Sequence, residues 1–538
     1  MKSKGFAWIV SNTKFAVWSI LVLSLLGIAV SYLDMHFAFA SKTVMDIATG
    51  AINGTLMNAV VVLCILILLQ IGAHIIYTLI EVRLRCGLIN KIQNKVFRNI
   101  LESDYLNVTS YHSGELVNRL ENDVSVIAGC VTSLMPNLCM LIARAVFSFG
   151  ALYILDRRFA LLCIVILPFV TIVGRIYGKR MKKLHKDCSA AGGRVLSYMQ
   201  EAIRNILVVK AFVKEQLTAT RLGQLQDDSM KLNVKREIIS LFANLLFFAV
   251  MTFGYYCALV WCAYNISIGL MTVGTLTAIL QLFDQLQSPF GELSTVIPRV
   301  YRMIASAERI IELEEISEDK EGQTLLCDDF QCVRLDNVSF SYEDSGEIIH
   351  NFSHSFNKGE LAVVGGLSGI GKSTLMKLIM GILIPSEGEV VICDGDEEYI
   401  CNASTRHNFA YVPQGNMIMS GTLRQNVTFF DDSVTDDAVI AACSDACIYD
   451  YITSLPLGLD TILGEGGAGM SEGQVQRIAI ARALCTGASV ILLDEATSAL
   501  DEETEYRVLT NIKNSGRTCI AISHKQCAFD LSDSIITL

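Results

Sequence analysis

Gly366 to Thr374 read Gly-Leu-Ser-Gly-Ile-Gly-Lys-Ser-Thr, a G-x-x-x-x-G-K-S pattern directly after the apolar run Leu361 to Val364. The chemistry such a pattern supports is phosphate binding. Gly366, Gly369 and Gly371 let the backbone curl until its N–H groups point at phosphate oxygens, with Ser368 in the same turn. Lys372 reaches the β- and γ-phosphates, and Ser373, beside Thr374, opens a helix while offering a hydroxyl to Mg²⁺. A second group lies at the end of the apolar run Val490 to Leu493, which closes on Asp494 and Glu495. On a buried strand whose tip faces the phosphate loop, Asp494 can hold the Mg²⁺ shell and Glu495 can polarise a water for in-line attack on a γ-phosphate. A third, Gly469 to Gln474, places two glycines and Ser471 at the start of a helical stretch running through Arg477 and Arg482. That is a second anion-binding helix N-terminus. One nucleotide has one triphosphate, so the second helix is expected to serve a nucleotide held by another subunit.

These residues need a scaffold, and the chain around them reads as α/β. Short β-rich runs at Val333 to Leu335, Val338 to Tyr342, Leu361 to Val364 and Glu389 to Cys393 alternate with helical stretches. Upstream, Glu314 to Gly322 is acidic and polar and reads as a linker. The expected division is therefore 1–313, a linker over 314–323, and 324–538. Composition separates the two parts further. With 52% hydrophobic and only 18% charged residues in 538, the chain is too apolar for a soluble two-domain enzyme and points to membrane segments. A formal net charge of −11 gives no sign of a nucleic-acid partner. The seventeen cysteines include no C-x-x-C pair, so neither a disulfide framework nor a zinc site is expected, and most should be small buried apolar residues. The first apolar run is too long for a signal peptide and shows no cleavage pattern.

Six spans are expected: Phe15 to Leu33, Leu56 to Ile80, Val126 to Leu155, Phe159 to Tyr177, Ile238 to Tyr264 and Thr272 to Val296. Between them, Glu81 to Asp123 and Lys179 to Arg236 are long, basic and helical, which marks them as cytoplasmic. The short Asp156-Arg157-Arg158 turn is an exception to the positive-inside rule. Polar residues within spans are costly and therefore informative. Arg144 lies midway along the third span and His74 in the second, and Arg175 near the end of its span is expected to snorkel. On the sixth, Gln281, Asp284, Gln285 and Ser288 fall on one helical face. The sequence leaves two readings of that stripe: a wet translocation path, or hydrogen bonding between helices together with a charge pair such as Arg144 with Asp284.

Taken together, Tyr342, Gly366 to Thr374, Gln414 in Tyr-Val-Pro-Gln, Met470 to Gln474, Asp494 with Glu495, Ser498 to Asp501 and His524 in Ala-Ile-Ser-His resemble, in order and spacing, the cassette of an ATP-binding cassette transporter. The first half resembles the exporter-type membrane domain of that family, with Ser113 to Asp123 and Val209 to Glu215 at its cytoplasmic helix motifs. The resemblance implies a six-span helical membrane domain fused to a P-loop nucleotide-binding domain, using ATP and Mg²⁺. Tyr342 would stack on adenine, although a strand aromatic in the core is the competing reading. Lys372, Ser373 and Thr374 would hold phosphates and Mg²⁺, with Asp494 and Gln414 completing the metal shell. Gln414 would also contact the attacking water and relay occupancy. Glu495 and His524 would act on the γ-phosphate, and Glu465 would face the cytoplasmic helix tips. Ser471, Gly473 and Gln474 would grip the nucleotide of the partner subunit, and Asp501 would cross the dimer interface.

Two departures stand out. Where the family most often has L-S-G-G-Q, this chain has Met470 and Glu472; Met for Leu is a near-isosteric swap, whereas Glu472 adds a charge near a phosphate. It either points to solvent from the first helical turn, where acids are favoured, or weakens one site of a heterodimer. The chain also stops soon after His524, so the closing elements are expected to be short. As a half-transporter it implies a second half, identical or different, and a lipid bilayer, with the cassette in the cytoplasm of a bacterial cytoplasmic membrane protein. The expected activity is ATP-driven export of an amphipathic drug, lipid or small peptide by alternating access. Helix tips near Tyr105 to Tyr111 and Ala202 to Val208 would carry the motion. No protease domain precedes the first span, which disfavours a peptide exporter that processes its own cargo. Uptake on the same fold, an ATP-gated channel and a soluble cassette ATPase are the competing readings.

Overall fold

The computed structural model describes residues 2–319, 324–342, 346–367, 369–415, 418–464, 467 and 469–538, with side chains described outside 2–3, 162–180, 182, 243–244, 247, 288–295 and 297. It divides into two compact units, 1–98 with 113–315, and 99–112 with 316–538.

The first unit is helical: α1 (Lys2–Asn12), α2 (Val17–Ala48) and α3 (Leu56–Glu102), then, after the α4 segment, α5 (Ser113–Asn118), α6 (Val124–Leu155), α7 (Arg157–Arg204), α8 (Ile206–Ala211), α9 (Glu215–Ser267) and α10 (Val273–Glu314). The intervening α4 (Tyr105–Thr109) belongs to the second unit. Among the described residues, Lys14–Ala48, Leu56–Glu102, Ser113–Leu155 and Phe248–Ser267 are long and apolar enough to cross a membrane. The spans expected at Phe159 to Tyr177 and Thr272 to Val296 fall in α7 and α10, on stretches that include side chains outside the described residues. Helices such as α3, with 47 residues, and α9, with 53, far exceed the roughly 20 that a bilayer needs. The basic stretches at Glu81 and Lys179 are thus continuations of membrane helices.

The first span runs further than its apolar stretch suggests, from Val17 through Asp34 and Asp46 to Ala48. Both acids are compensated by partners on other helices or the adjacent turn. Asp46 is fully buried, 3.2 Å from Lys42 Nζ, and its Oδ1 accepts from Gly274 N at 3.0 Å. At the α6–α7 corner, Asp156 caps α7 by accepting from Arg158 N and Phe159 N, and Trp261 Nε1 donates to it at 2.7 Å. Arg157 lies against the Tyr153 ring.

In the second unit, β1 (Phe330–Ser341), β2 (Glu347–Asn357), β4 (Glu387–Asp394) and β5 (Glu397–Ile400) form an antiparallel sheet in the order β2-β1-β4-β5. The two runs read from the sequence at 333–342 are one bulged strand, broken in register between Leu335 and Val338 where Asn337 takes φ +49. A parallel sheet, β11-β3-β10-β9-β6, is built from β3 (Leu361–Gly365), β6 (Phe409–Val412), β9 (Val490–Asp494), β10 (Thr518–Ile522) and β11 (Ser534–Thr537). Every residue of β3, β9 and β10 is buried, which their near-continuous aliphatic sequences demand of a sheet covered on both faces. Around it lie α11 (Lys372–Ile379), α12 (Leu423–Thr428), α13 (Asp436–Asp445), α14 (Tyr449–Ser454), α15 (Glu472–Cys485), α16 (Glu502–Asn514) and α17 (Gln526–Leu531), with a two-residue pair of strands β7 (Gly421–Thr422) and β8 (Ile462–Leu463). The closing elements, α17 and β11, are short, and β11 pairs with β3 from Ser534 to Thr537.

The described cysteines are all free thiols. Seven of the sixteen described are buried, with burial pushing the thiols of Cys443 and Cys519 up to about 12, whereas Cys64 and Cys86 on α3 are exposed, contrary to the expectation of buried cysteines. The segment 99–112, placed by the sequence in the first domain, groups with the second because its backbone is bonded there. Asp104 N donates to Ser317 O at 2.9 Å and Asp319 N to Glu102 O at 2.8 Å, while Lys377 Nζ sits 5.2 Å above the Tyr105 ring.

Candidate functional site

Parallel register brings the chemistry to one edge. Ile522 pairs with both Val364 and Asp494, and Val412 pairs with Leu493. The loops that follow β3, β6, β9 and β10 therefore leave the sheet side by side at its carboxyl end, the usual ligand edge of an open α/β sheet.

The phosphate loop leaves β3 with Gly366 at φ +141, Gly369 at +85 and Gly371 at +111, backbone angles that side chains rarely tolerate. Gly371 is the N-cap of α11. Lys372 is buried, and its ammonium lies on the loop's own carbonyls, Gly366 O at 2.9 Å and Leu367 O at 3.0 Å. Ser373 Oγ donates to Asp494 Oδ1 at 3.0 Å, and Tyr411 Oη donates to Asp494 Oδ2 at 2.9 Å. Both oxygens of this buried carboxylate are thus fixed in direction. Thr374 is buried, with its hydroxyl 3.4 Å from that of Tyr342, whose ring packs edge-on against Phe340. Ser368 lies outside the described residues, as does Glu465.

Beside this buried group stands a more open one. Glu495 takes φ +51, which is uncommon for a side-chain-bearing residue, directly after β9. Its N–H donates to Ile522 O at 3.2 Å, tying it to the end of β10. Gln414 Nε2 donates to Glu495 Oε2 at 2.7 Å, and His524 Nε2 lies 3.6 Å from Oε1. The structure thus brings together the three residues that the sequence singles out for catalysis. As for Mg²⁺, the available donors are a hydroxyl, a carboxylate and an amide oxygen: Ser373, Asp494 and Gln414. That hard-oxygen set fits an ion that usually takes one or two carboxylates and completes its shell with phosphate and water.

The glycine-serine helix start is a third, separate group. Ser471 caps α15, its Oγ accepting from Gln474 N at 3.3 Å while Gln474 Oε1 accepts from Ser471 N at 2.9 Å. The Gln474 side chain is therefore engaged in its own helix cap. Glu472 is exposed in the first turn. A Cβ on Gly473 would come within 2.9 Å of Ala499 O, so only glycine fits against the 497–500 loop. Asp501 caps α16, and the N–H of Thr504 holds its carboxyl below the usual carboxylate range.

Sequence reasoning missed several residues here. Tyr411 is three residues before Gln414, but only the β6–β9 register shows that it meets Asp494. Gln476 holds the 497–500 loop, donating to Ser498 Oγ at 2.9 Å and accepting from Ala499 N at 3.0 Å. Lys525 and Glu505 carried no signal beyond the neighbourhood of His524 and Asp501.

In the helical unit the expected Arg144–Asp284 pair is not formed. Arg144 Nη2 is 2.7 Å from Asp34 Oδ2, and Asp284 is exposed. Asp34 escaped notice because it stands just beyond the apolar run, but helix α2 continues through it. Gln70 donates to Asp34 Oδ1 at 3.0 Å, Gln285 Nε2 to Asp34 O at 3.2 Å, and Ser148 to Gln285 Oε1 at 3.2 Å. Gln285 is therefore an interhelical bond former. Gln281 keeps a buried carbonyl oxygen with no partner among the described residues. His74 is exposed, and the side chains of Ser288 and Arg175 lie outside the described residues.

Comparison with known proteins matches residues 17–290 to the ABC transporter transmembrane region and residues 349–498 to the ABC transporter family model. Among curated relatives, an ATP-dependent lipid A-core flippase of Desulfotalea psychrophila is 29% identical over 468 residues, 86% of this chain and 82% of that protein. The mouse mitochondrial ATP-binding cassette sub-family B member 10 is 28% identical, over 82% of this chain and 63% of its own. Among solved structures, a bacterial Atm1-family ABC exporter with ATP bound superposes with a TM-score of 0.78 at 24% identity, covering 98% of this chain and 93% of that one.

Proposed function

Since this chain belongs to the ABC transporter family, with its membrane region and ATPase cassette on one polypeptide, we propose that it is an ATP-driven exporter of an amphipathic, lipid-like molecule, working by alternating access as a dimer. The observation that carries the reading is the pair of neighbouring groups at the sheet edge. Ser373 and Tyr411 fix the Asp494 carboxylate, while Gln414 and His524 flank Glu495. One group is built to hold metal and phosphate, the other to act on water.

In the mechanism that follows, the Lys372 ammonium leaves the Gly366 and Leu367 carbonyls for the β- and γ-phosphates. Ser373, Asp494 and Gln414 would hold Mg²⁺, which would supply charge neutralisation on those phosphates. Glu495 takes a proton from the attacking water as its oxygen bonds to the γ-phosphorus and the bond to the β-phosphate oxygen breaks, releasing ADP and phosphate. His524, on the other side of Glu495, faces the transferred group. Ser471 and Gly473, at a second helix N-terminus, serve the nucleotide of a second copy, since one nucleotide has only one triphosphate. Tyr342 provides the adenine platform. Nucleotide-driven closure of two cassettes turns the cavity of the membrane helices outward, and hydrolysis resets it. The lipid-like cargo is supported by the printed activities of the flippase relatives and by the polar residues set inside apolar helices, Gln281 among them.

The purified chain in lipid vesicles tests this. Wild-type protein is expected to hydrolyse ATP and to move a fluorescent phospholipid out of the leaflet facing the cassettes. Glu495→Gln should bind ATP but lose hydrolysis by about 100-fold or more. ATP-dependent movement in the opposite direction would replace export with uptake, and movement only down a gradient would point to a gated path.

A further inference from the structure

The residue after His524 has no place in the mechanism above, yet it is among the most heavily engaged side chains near the sheet edge. Lys525 Nζ donates to Thr497 O at 2.9 Å and to Leu500 O, the first and last carbonyls of the four-residue 497–500 loop that precedes Asp501. The same ammonium stands 3.2 Å from Glu505 Oε2, an ion pair rather than an aligned hydrogen bond. Glu505 is wholly buried on α16, and its other oxygen accepts from Thr497 Oγ1 at 2.7 Å.

A fully buried carboxylate is costly unless paired and hydrogen-bonded. Here its charge is placed where it holds a lysine against two backbone carbonyls. The loop so held has little else to define it: one turn from Glu495 O to Ser498 N, another from Thr497 O to Leu500 N, and the Gln476 clamp from α15. At its start Glu495 sits in a strained left-handed conformation, and at its end Asp501 begins α16. A residue in such a conformation keeps it only where its surroundings over-determine it.

We propose that Lys525, anchored by Glu505, is a positioning residue for hydrolysis: it fixes the 497–500 loop so that Glu495 and Asp501 are aimed correctly, and it ties that loop to the segment after β10 that carries His524. Lys525 does not touch the nucleotide. Its loss is therefore felt in the chemical step and not in ATP binding. The inference rests on Glu495 being the base.

The test is steady-state ATPase of the full-length protein in lipid, with ATP affinity and melting temperature measured on the same samples. Lys525→Met is expected to lower kcat about tenfold with KM for ATP within about twofold, the pattern of a displaced base. Lys525→Arg, which keeps a multidentate cation, should recover most of the rate. Because Lys525→Met leaves a buried charge without its partner, it is paired with Lys525→Met/Glu505→Gln. The double variant should regain the melting temperature while kcat stays low. Wild-type kcat in Lys525→Met, or recovery of kcat along with stability in the double variant, overturns the proposal. Glu495→Gln run alongside separates the two readings: if it retains hydrolysis the assignment of the base fails, whereas if it is inactive and Lys525→Met is unimpaired only the positioning role fails.

Discussion

Functional side chains in the cassette arrive at the ends of four parallel strands, β3, β6, β9 and β10, whereas in the membrane unit the central polar cluster is assembled from four helices, with Asp34 on α2, Gln70 on α3, Arg144 and Ser148 on α6 and Gln285 on α10. In the first case the backbone register does the positioning. Ile522 is opposite Asp494 whatever side chains they carry, so a substitution at the strand end alters chemistry before it alters fold. In the second, the side chains are themselves what joins the helices. A substitution there removes an interhelical bond, and its first effect is on stability. Burial points the same way: β9 is closed on both faces by an aliphatic core, while the Arg144 and Asp34 side chains keep 25% and 16% of their exposure.

The sharpest way to break this comparison is at Asp494. Asp494→Asn keeps the shape and leaves the aliphatic core of β9 intact, so the melting temperature of the apo protein should hold. Hydrolysis should fall by about 100-fold to 1000-fold, because the carboxylate bonded to Ser373 is lost. Tyr411→Phe is the graded companion. It removes one hydrogen bond to a charged group, worth about 1.5 kcal/mol, and should lower kcat about tenfold or less while raising the Mg²⁺ concentration needed for tight ATP binding. That binding shift, read by titration calorimetry with a non-hydrolysable ATP analogue, has no reason to appear if Tyr411 is only core packing.

The membrane cluster should respond in the opposite order. Asp34→Asn removes the carboxylate opposite Arg144 and is expected to destabilise the detergent-solubilised protein by about 2 kcal/mol. Asp34→Asn/Arg144→Gln should recover much of that. If the double variant is no more stable than the single one, the pair is not what holds α2 to α6, and the contrast with the cassette weakens.

The same contrast decides what could be read from sequence. Phosphate loop, acid pair, Gln414 and His524 were legible because each is a local pattern following an apolar run, and a parallel sheet then carries all such run ends to one edge. Tyr411 was not, since its partner is 83 residues away and only the β6–β9 register connects them. Lys525 was invisible for a related reason: its hydrogen bonds go to backbone carbonyls, which leave no trace in residue type, and Glu505 meets it only through the packing of α16. Among the helices, the 3.6-residue pattern gave the polar face of α10 but not its partners. Asp284 was offered as one partner for Arg144, which instead finds Asp34 because the helix containing Asp34 extends past its apolar stretch. The division of the chain at Asn99 and His112 was likewise illegible, being set by backbone bonds from 102–104 to 317–319.

The smallest effect is expected at Glu472, where the cassette departs from its family's usual glycine. The side chain is exposed in the first turn of α15, and Ser471 and Gln474 close the helix cap without it. An acid there sits favourably on the helix dipole, and its charge is open to screening over about 10 Å at 0.1 M salt. Glu472→Gly should therefore change kcat by less than about twofold and leave its salt dependence unaltered. A carboxylate pressed against the partner's nucleotide would behave otherwise. Its removal would raise ATP affinity severalfold, most strongly at low ionic strength, and it would mark this chain as the half that needs a different subunit to complete one of its two sites.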